Sequence, residues 1–441
     1  MTPDEWLAIA MLASFFGLLV IGVPVAVGIA LSGFVFGYIG FGDLLFNMLP
    51  ARIYGVVTKY EFMAIPLFVF MGVMLERSRV AEQMLEAAGL LAGPLRGGMG
   101  IAIIVVGVLL GASTGIVGAT VVTMTLLTLP VLIRRGYAKS IASGAICASG
   151  TLGQIIPPSL VLILLADIIG LSVGTLFAAA MLPGLVLAGL YVVFIIAVGM
   201  VRPELVPALP RDERERYSRG RLAAKVAWAL GPPLALVLGV LGSIIGGLAA
   251  PTEAAAVGAA LAVVIAALYG RLTARLVVDV ADQTVRVSAM IFFILIAAQV
   301  FSLAFRGLRG DQVVADLFAF LPGGADGAVV FMLMILFVLG FFLEWIEISY
   351  IALPLFLPVL QAAGIDMVWL AILVAMNLQT SFLTPPFGWA LFFLKGAAPP
   401  EVTTGAIYKG VLPFIALQIL GLAILFFYPP LATWLPDAIG W

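Results

Sequence analysis

Two short stretches concentrate the polar chemistry of an otherwise apolar chain. Ser149 to Ser159 reads SGTLGQIIPPS, and Asn377 to Phe393 reads NLQTSFLTPPFGWALFF, with Pro157–Pro158 and Pro385–Pro386 in corresponding places. Proline has no N–H to donate and biases the residue before it away from the α region, so a helix running into either pair must open. The opened carbonyls join the side-chain oxygens of Thr151 in the first stretch and of Asn377, Thr380, Ser381 and Thr384 in the second. Oxygen donors of this kind suit a hard monovalent cation such as Na⁺, while the N–H groups at the start of a half-helix suit a carboxylate. Ser and Thr that only bond their own helix backbone, or pack helices together, leave the same trace in a sequence.

Each stretch follows a block that could fold back on itself. From about 97 to 135, two apolar arms flank GASTGIVGAT, Gly111 to Thr120, with Arg96 before the block and Arg134, Arg135 and Lys139 after it. Cations at both ends put both ends on one side of a membrane, which makes the block a re-entrant hairpin. Two short spans joined by a Gly-rich turn, or one long helix, are the competing readings. In the hairpin reading Ser113, Thr114 and Gly115 face Thr151 and Gly153. A second hairpin covers about 327–360, with its tip near GFFLEWIEIS, Gly340 to Ser349, facing Asn377, Thr380, Ser381 and Thr384. Glu344 and Glu347 are its unusual members, because an ionised carboxylate at membrane depth costs about 3 kcal/mol on insertion scales. They could join the second cation site, carry a proton or cap the hairpin helix, and a structural or capping role is favoured for at least one. Arg306 and Arg309 lie near a boundary, where snorkelling is the default and substrate contact the alternative.

The elements that hold these groups are dictated by composition. Of 441 residues, 63% are hydrophobic and 10% charged, with a mean hydropathy of +1.23. Soluble chains carry about 25% charged residues, so this is an all-α polytopic membrane protein of about ten spans. A net charge of −1 argues against nucleic-acid binding, the single Cys147 against a disulfide framework, and the lack of histidine removes the commonest metal ligand and general base. The start, MTPDEW, is acidic and unlike a secretory signal, so the first apolar run is expected to stay as a helix. Spans fall at roughly 6–22, 24–42, 62–76, 176–200, 228–248, 253–270, 285–305 and 406–428, with broken helices at about 138–170 and 367–394. The stretches 43–54 and 79–92 read as helices lying in the interface, and 202–225, with RDERERYSRGR at its centre, as a cytoplasmic linker.

The chain therefore divides into 1–201, the linker 202–225, and 226–441. Pro24 corresponds to Pro251, Ile65 to Ile291, Gly111 to Gly340 and Pro157 to Pro385, with offsets of 226 to 229. Five crossings per half, an odd number, make the second half enter inverted. With the N-terminus outside, 18 of the 22 Lys and Arg fall inward and only Arg52, Lys59, Arg306 and Arg309 outward, as the positive-inside rule requires.

GASTGIVGAT, SGTLGQIIPPS and NLQTSFLTPP with its following apolar arm resemble the large membrane subunit of tripartite ATP-independent periplasmic (TRAP) transporters, over essentially the whole chain. The resemblance implies a multi-pass protein of the bacterial inner membrane that imports organic acids, driven by Na⁺, through an elevator motion of hairpins and broken helices against a scaffold. It implies two Na⁺ sites, one carried onto Ser113, Thr114, Thr151 and Gly153 and the other onto Gly340, Thr380 and Thr384. As partners it implies a small four-helix membrane subunit and a periplasmic substrate-binding protein, with both termini of this chain periplasmic. The sequence departs from the family pattern at FLEWIEIS, where members often carry an aspartate followed by small residues, and in the aromatic content of the second broken helix.

Other functions fit less well. An ABC-type permease would not carry paired hairpins, and an intramembrane enzyme would have only Ser113 and the Glu344/Glu347 pair to work with. A proton-coupled carboxylate transporter of the same fold, using Glu344 or Glu347, is the alternative that the sequence leaves open.

Overall fold

The computed structural model describes residues 1–114, 117–210, 213, 217–319 and 322–441. Among these residues every regular element is helical. Helix α1 (Pro3–Val20) starts on a capping box: Glu5 N donates to Thr2 Oγ1 at 3.4 Å and Thr2 N to Glu5 Oε2 at 2.8 Å. Helices α2 (Val25–Phe41) and α3 (Leu44–Val57) follow. A 3₁₀ turn (Tyr60–Met63) then leads into α4 (Ala64–Arg77), bent by 53° from α3, and α5 (Val80–Ala92) comes next. The first hairpin block forms α6 (Gly98–Thr114) and α7 (Val117–Arg134). The first broken helix is α8 (Lys139–Thr151) and α9 (Leu160–Ile169), and α10 (Val173–Val201) closes the half.

The second half runs α11 (Arg219–Ile245), α12 (Pro251–Leu268), α13 (Ala274–Gly307) and α14 (Gly310–Ala319). Its hairpin block is α15 (Gly324–Leu339), α16 (Trp345–Ile351) and α17 (Leu353–Ala362), and its broken helix is α18 (Met367–Leu383) and α19 (Trp389–Ala397). Helices α20 (Thr404–Phe427) and α21 (Pro430–Ile439) end the chain.

Corresponding helices exchange partners between the halves. Helix α2 packs on α13 and α12 on α4; α8 packs on α20 and α18 on α10. Small residues allow the crossings: a Cβ at Gly33 would fall 2.8 Å from the Phe301 backbone nitrogen, and one at Gly258 would fall 2.7 Å from the Met71 sulfur. Arg79 and Arg309, which turn the chain into α5 and α14, share a left-handed φ of 60°.

Seven helices among the described residues are long and apolar enough to span a bilayer, or nine if each bent pair counts as one span. This is fewer than the ten expected, because several elements, among them α2 and both arms of α8–α9, are short. Helix α13 is continuous over 34 residues, longer than the expected span at 285–305, since no Gly or Pro interrupts 274–306. Helix α11 begins at Arg219, capped by Ser218, so the last residues of the expected linker are helical. Pro354 opens α17, which turns 49° from α16, so the second hairpin has a bent outer arm.

Candidate functional site

Helix α8 is buried on all sides from Ala142 to Thr151, which its small residues permit. It tightens into a 3₁₀ turn (Leu152–Gln154) and then opens before Pro157. The Ser159 hydroxyl donates to the Gln154 carbonyl at 2.6 Å, supplying the hydrogen bond that Pro158 cannot. Both proline–proline bonds, Pro157–Pro158 and Pro385–Pro386, are cis. The hairpin seats on this opening through backbone. A Cβ at Gly111 would lie 2.6 Å from the Gly153 Cα, and one at Gly153 would lie 2.7 Å from the Gly111 carbonyl oxygen. Only glycine fits on either side. Ser113 and Thr114 end α6, and Gly115 lies outside the described residues.

The second half repeats the seating. Gly340, at the end of α15, stands against Ser381, whose Cβ would be 2.6 Å from an added Cβ. Gly340 and Ser381 correspond to Gly111 and Gly153. Asn377 Nδ2 donates to the Leu333 carbonyl of α15 at 2.8 Å, tying broken helix to hairpin. The hydroxyls of Thr380, Ser381 and Thr384 donate to Met376, Leu378 and Thr380 carbonyls, each at 2.8 Å. Thr151 does the same to Ala148 at 3.0 Å, and Ser349 to Trp345 at 2.7 Å. A hydroxyl that donates to its own helix keeps its lone pairs, so back-bonding and cation ligation are compatible.

Glu347 has the capping role expected of one tip carboxylate. Its Oε2 accepts from the Glu344 backbone N–H at 2.9 Å at the start of α16. Glu344 is half-buried and faces a cavity of about 430 Å³. That cavity lies between both hairpins and the flanking helices, with Glu76 of α4, Gln283 and Ile291 of α13, Gly118 of α7 and Phe382 of α18 in its wall. Arg306 is elsewhere: it is exposed at the end of α13, beside Phe41 and Arg52, and is not brought to either tip.

Sequence reasoning passed over Gln379, Gln418 and Tyr191. Gln379 Nε2 donates to Thr151 Oγ1 at 3.4 Å, joining the two broken helices. The fully buried Tyr191 hydroxyl faces the amides of Gln379 and Gln418 without closing a hydrogen bond to either. Asp167 pairs with Lys59, and its Oδ2 accepts from the Tyr350 hydroxyl at 3.1 Å. The available signal was a lone polar residue inside an apolar span, which is expensive unless partnered.

Residues 12–431 match the family model described as tripartite ATP-independent periplasmic transporter, DctM component. The chain belongs to this family. It is 30% identical to the C4-dicarboxylate TRAP transporter large permease protein DctM of Vibrio cholerae, over 96% of both chains. It is 27% identical to the ectoine TRAP transporter large permease protein TeaC of Halomonas elongata, over 97% of this chain and 98% of that one. The isethionate TRAP transporter permease protein DctMQ of Oleidesulfovibrio alaskensis is 29% identical over 95% of this chain, which spans 65% of that protein. Among solved structures, the Alcanivorax borkumensis YdaH transporter superposes with a TM-score of 0.54 at 16% identity, over 91% of this chain and 90% of that one. Neisseria gonorrhoeae MtrF superposes with a TM-score of 0.56 at 13% identity, over 87% of this chain and 84% of that one. At such identities the likeness concerns fold alone. This DctM-family chain is thus a multi-pass TRAP large permease subunit.

Proposed function

We propose that the chain imports organic acids into a bacterial cell by coupling their movement to Na⁺, with two cation sites built at the hairpin–broken-helix junctions. The observation that carries this reading is the repeated seating of a hairpin glycine on the opened helix, Gly111 on Gly153 and Gly340 on Ser381. Around the first junction Thr151 and Gly153 supply oxygens, with Ser113, Thr114 and Gly115 the further candidates that the sequence names; around the second, Gly340, Asn377, Thr380, Ser381 and Thr384 do so. The donor set is oxygen only and carries no carboxylate of its own, which suits a monovalent ion that must be released each cycle. Ser349 supports the second tip from within α16.

The two halves lie inverted in the inner membrane, with the polar linker cytoplasmic and both termini periplasmic. Hairpins, broken helices and their flanking third spans, α4 and α13, move together, as an elevator, against the remaining helices. A periplasmic binding protein delivers the substrate, and a small four-helix membrane subunit completes the scaffold. The relatives' names span C4-dicarboxylate, ectoine, isethionate and sialic acid, all organic acids.

Uptake of labelled acids into proteoliposomes, with the small subunit and the binding protein present, tests the proposal. Accumulation should require an inward Na⁺ gradient and the binding protein, and should collapse in Thr380→Ala. Accumulation driven by a pH gradient alone and abolished in Glu344→Gln would replace sodium with proton coupling. Glu344 is the observation behind that second reading, since its carboxylate lines the cavity and is not the one that takes the Glu344 amide.

A further inference from the structure

We propose that the substrate carries a cationic group, such as an amine, amidine or quaternary ammonium, beside its acid group, and that Glu344 and Glu76 receive that cation. The inference rests on the reading of the chain as a transporter whose substrate occupies the cavity between the hairpins and the flanking helices. At about 430 Å³ the cavity suits a small organic solute. Its wall holds two carboxylates, and none of its described lining residues is Lys or Arg.

Glu76 is held ready from behind. Its Oε1 accepts from the Thr123 hydroxyl at 2.9 Å, while its buried Oε2 has no hydrogen-bond partner among the described residues. The neighbouring cation, Arg77, is exposed and spends its guanidinium on Gln283 Oε1, at 3.1 and 2.7 Å. Glu344 enters on the second hairpin tip, where Glu347 Oε2 takes the Glu344 amide at 2.9 Å and leaves the Glu344 carboxylate to the cavity.

The apolar wall agrees with this charge pattern. Trp345, Phe382 and Phe393 all line the cavity, and an aromatic face can attract an alkylammonium or amidinium. Half-buried carboxylates and aromatic side chains, with no Lys or Arg among the described lining residues, select a cation at that end. The acid group of the same molecule is the one that the transporter reading supplies. The substrate class is a zwitterion.

Thermal stabilisation of the purified chain in sodium buffer tests this without any uptake. The probes are ectoine and glycine betaine as zwitterions, and succinate and pyruvate as plain anions. The zwitterions should raise Tm and the anions should not. Glu344→Gln and Glu76→Gln should each weaken apparent zwitterion affinity about tenfold or more, as expected for loss of a charged contact, while Glu344→Asp keeps the preference. A Tm rise with succinate or pyruvate that strengthens in Glu344→Gln overturns the proposal, as does the lack of any rise with a cation-bearing probe. Failure of the transporter reading shows separately, as the absence of sodium-dependent uptake.

Discussion

Gln379 Nε2 donates to Thr151 Oγ1 across 3.4 Å, and these residues stand 228 positions apart, the same separation as Pro157 and Pro385. The two broken helices thus meet through the same position. A self-complementary contact of this kind is what a two-fold relation between repeated elements produces. Both residues are fully buried, so the bond is made away from water.

That bond should be visible in a double-mutant cycle. Thr151→Val and Gln379→Leu are expected to couple by about 0.6 to 1.7 kcal/mol, the range seen for hydrogen bonds between membrane helices. Unfolding of the purified chain in detergent measures it. Additive single effects would mean that the helices are not joined there.

The glycine seats make a steric prediction. Gly111→Ala places a methyl 2.6 Å from the Gly153 Cα, a backbone atom that cannot rotate away. Overpacking of this sort costs about 1–3 kcal/mol, so the hairpin should unseat and sodium-dependent uptake should fall about tenfold. Gly189→Ala in α10, with nothing within 4 Å of its added Cβ, is the control and should transport normally.

Glu347 separates capping from proton carriage. Glu347→Gln keeps an acceptor for the Glu344 amide and should retain both stability and uptake. Glu347→Ala should lose about 1 kcal/mol of stability. Loss of uptake in the glutamine variant, with stability intact, would instead assign the carboxylate a proton.

Lys59 and Asp167 tie the α3–α4 segment to the first broken helix, with Tyr350 of the second hairpin on the same carboxylate. If hairpins and broken helices move as one, this pair must break on each cycle. A partly exposed pair is worth about 0–1 kcal/mol, so Asp167→Asn should move the balance of states by up to about fivefold. Distances between spin labels on α3 and α9 would report the shift, and Lys59→Asp with Asp167→Lys should restore the original distribution.

Much of the framework was legible in the chain itself. Both helix breaks follow from proline's missing N–H, and the positions of α6 and α7 from the two apolar runs around GASTGIVGAT, although Val117–Arg134 is longer than expected and counts among the helices able to span a bilayer. The bounds of α6 to α9 fall within a few residues of those read from composition, because backbone chemistry and bilayer thickness act on contiguous residues. A structural or capping role for one of the two tip glutamates was legible, but that Glu347 is the one that caps came from the structure. What only the tertiary structure decided are contacts between distant residues: Thr151 with Gln379, Lys59 with Asp167 across 108 positions, and Glu76 with Glu344 around one cavity. These depend on how helices rotate and cross. A hydropathy pattern fixes that a helix is buried, but in a chain apolar on nearly every face it does not fix which neighbour each face meets.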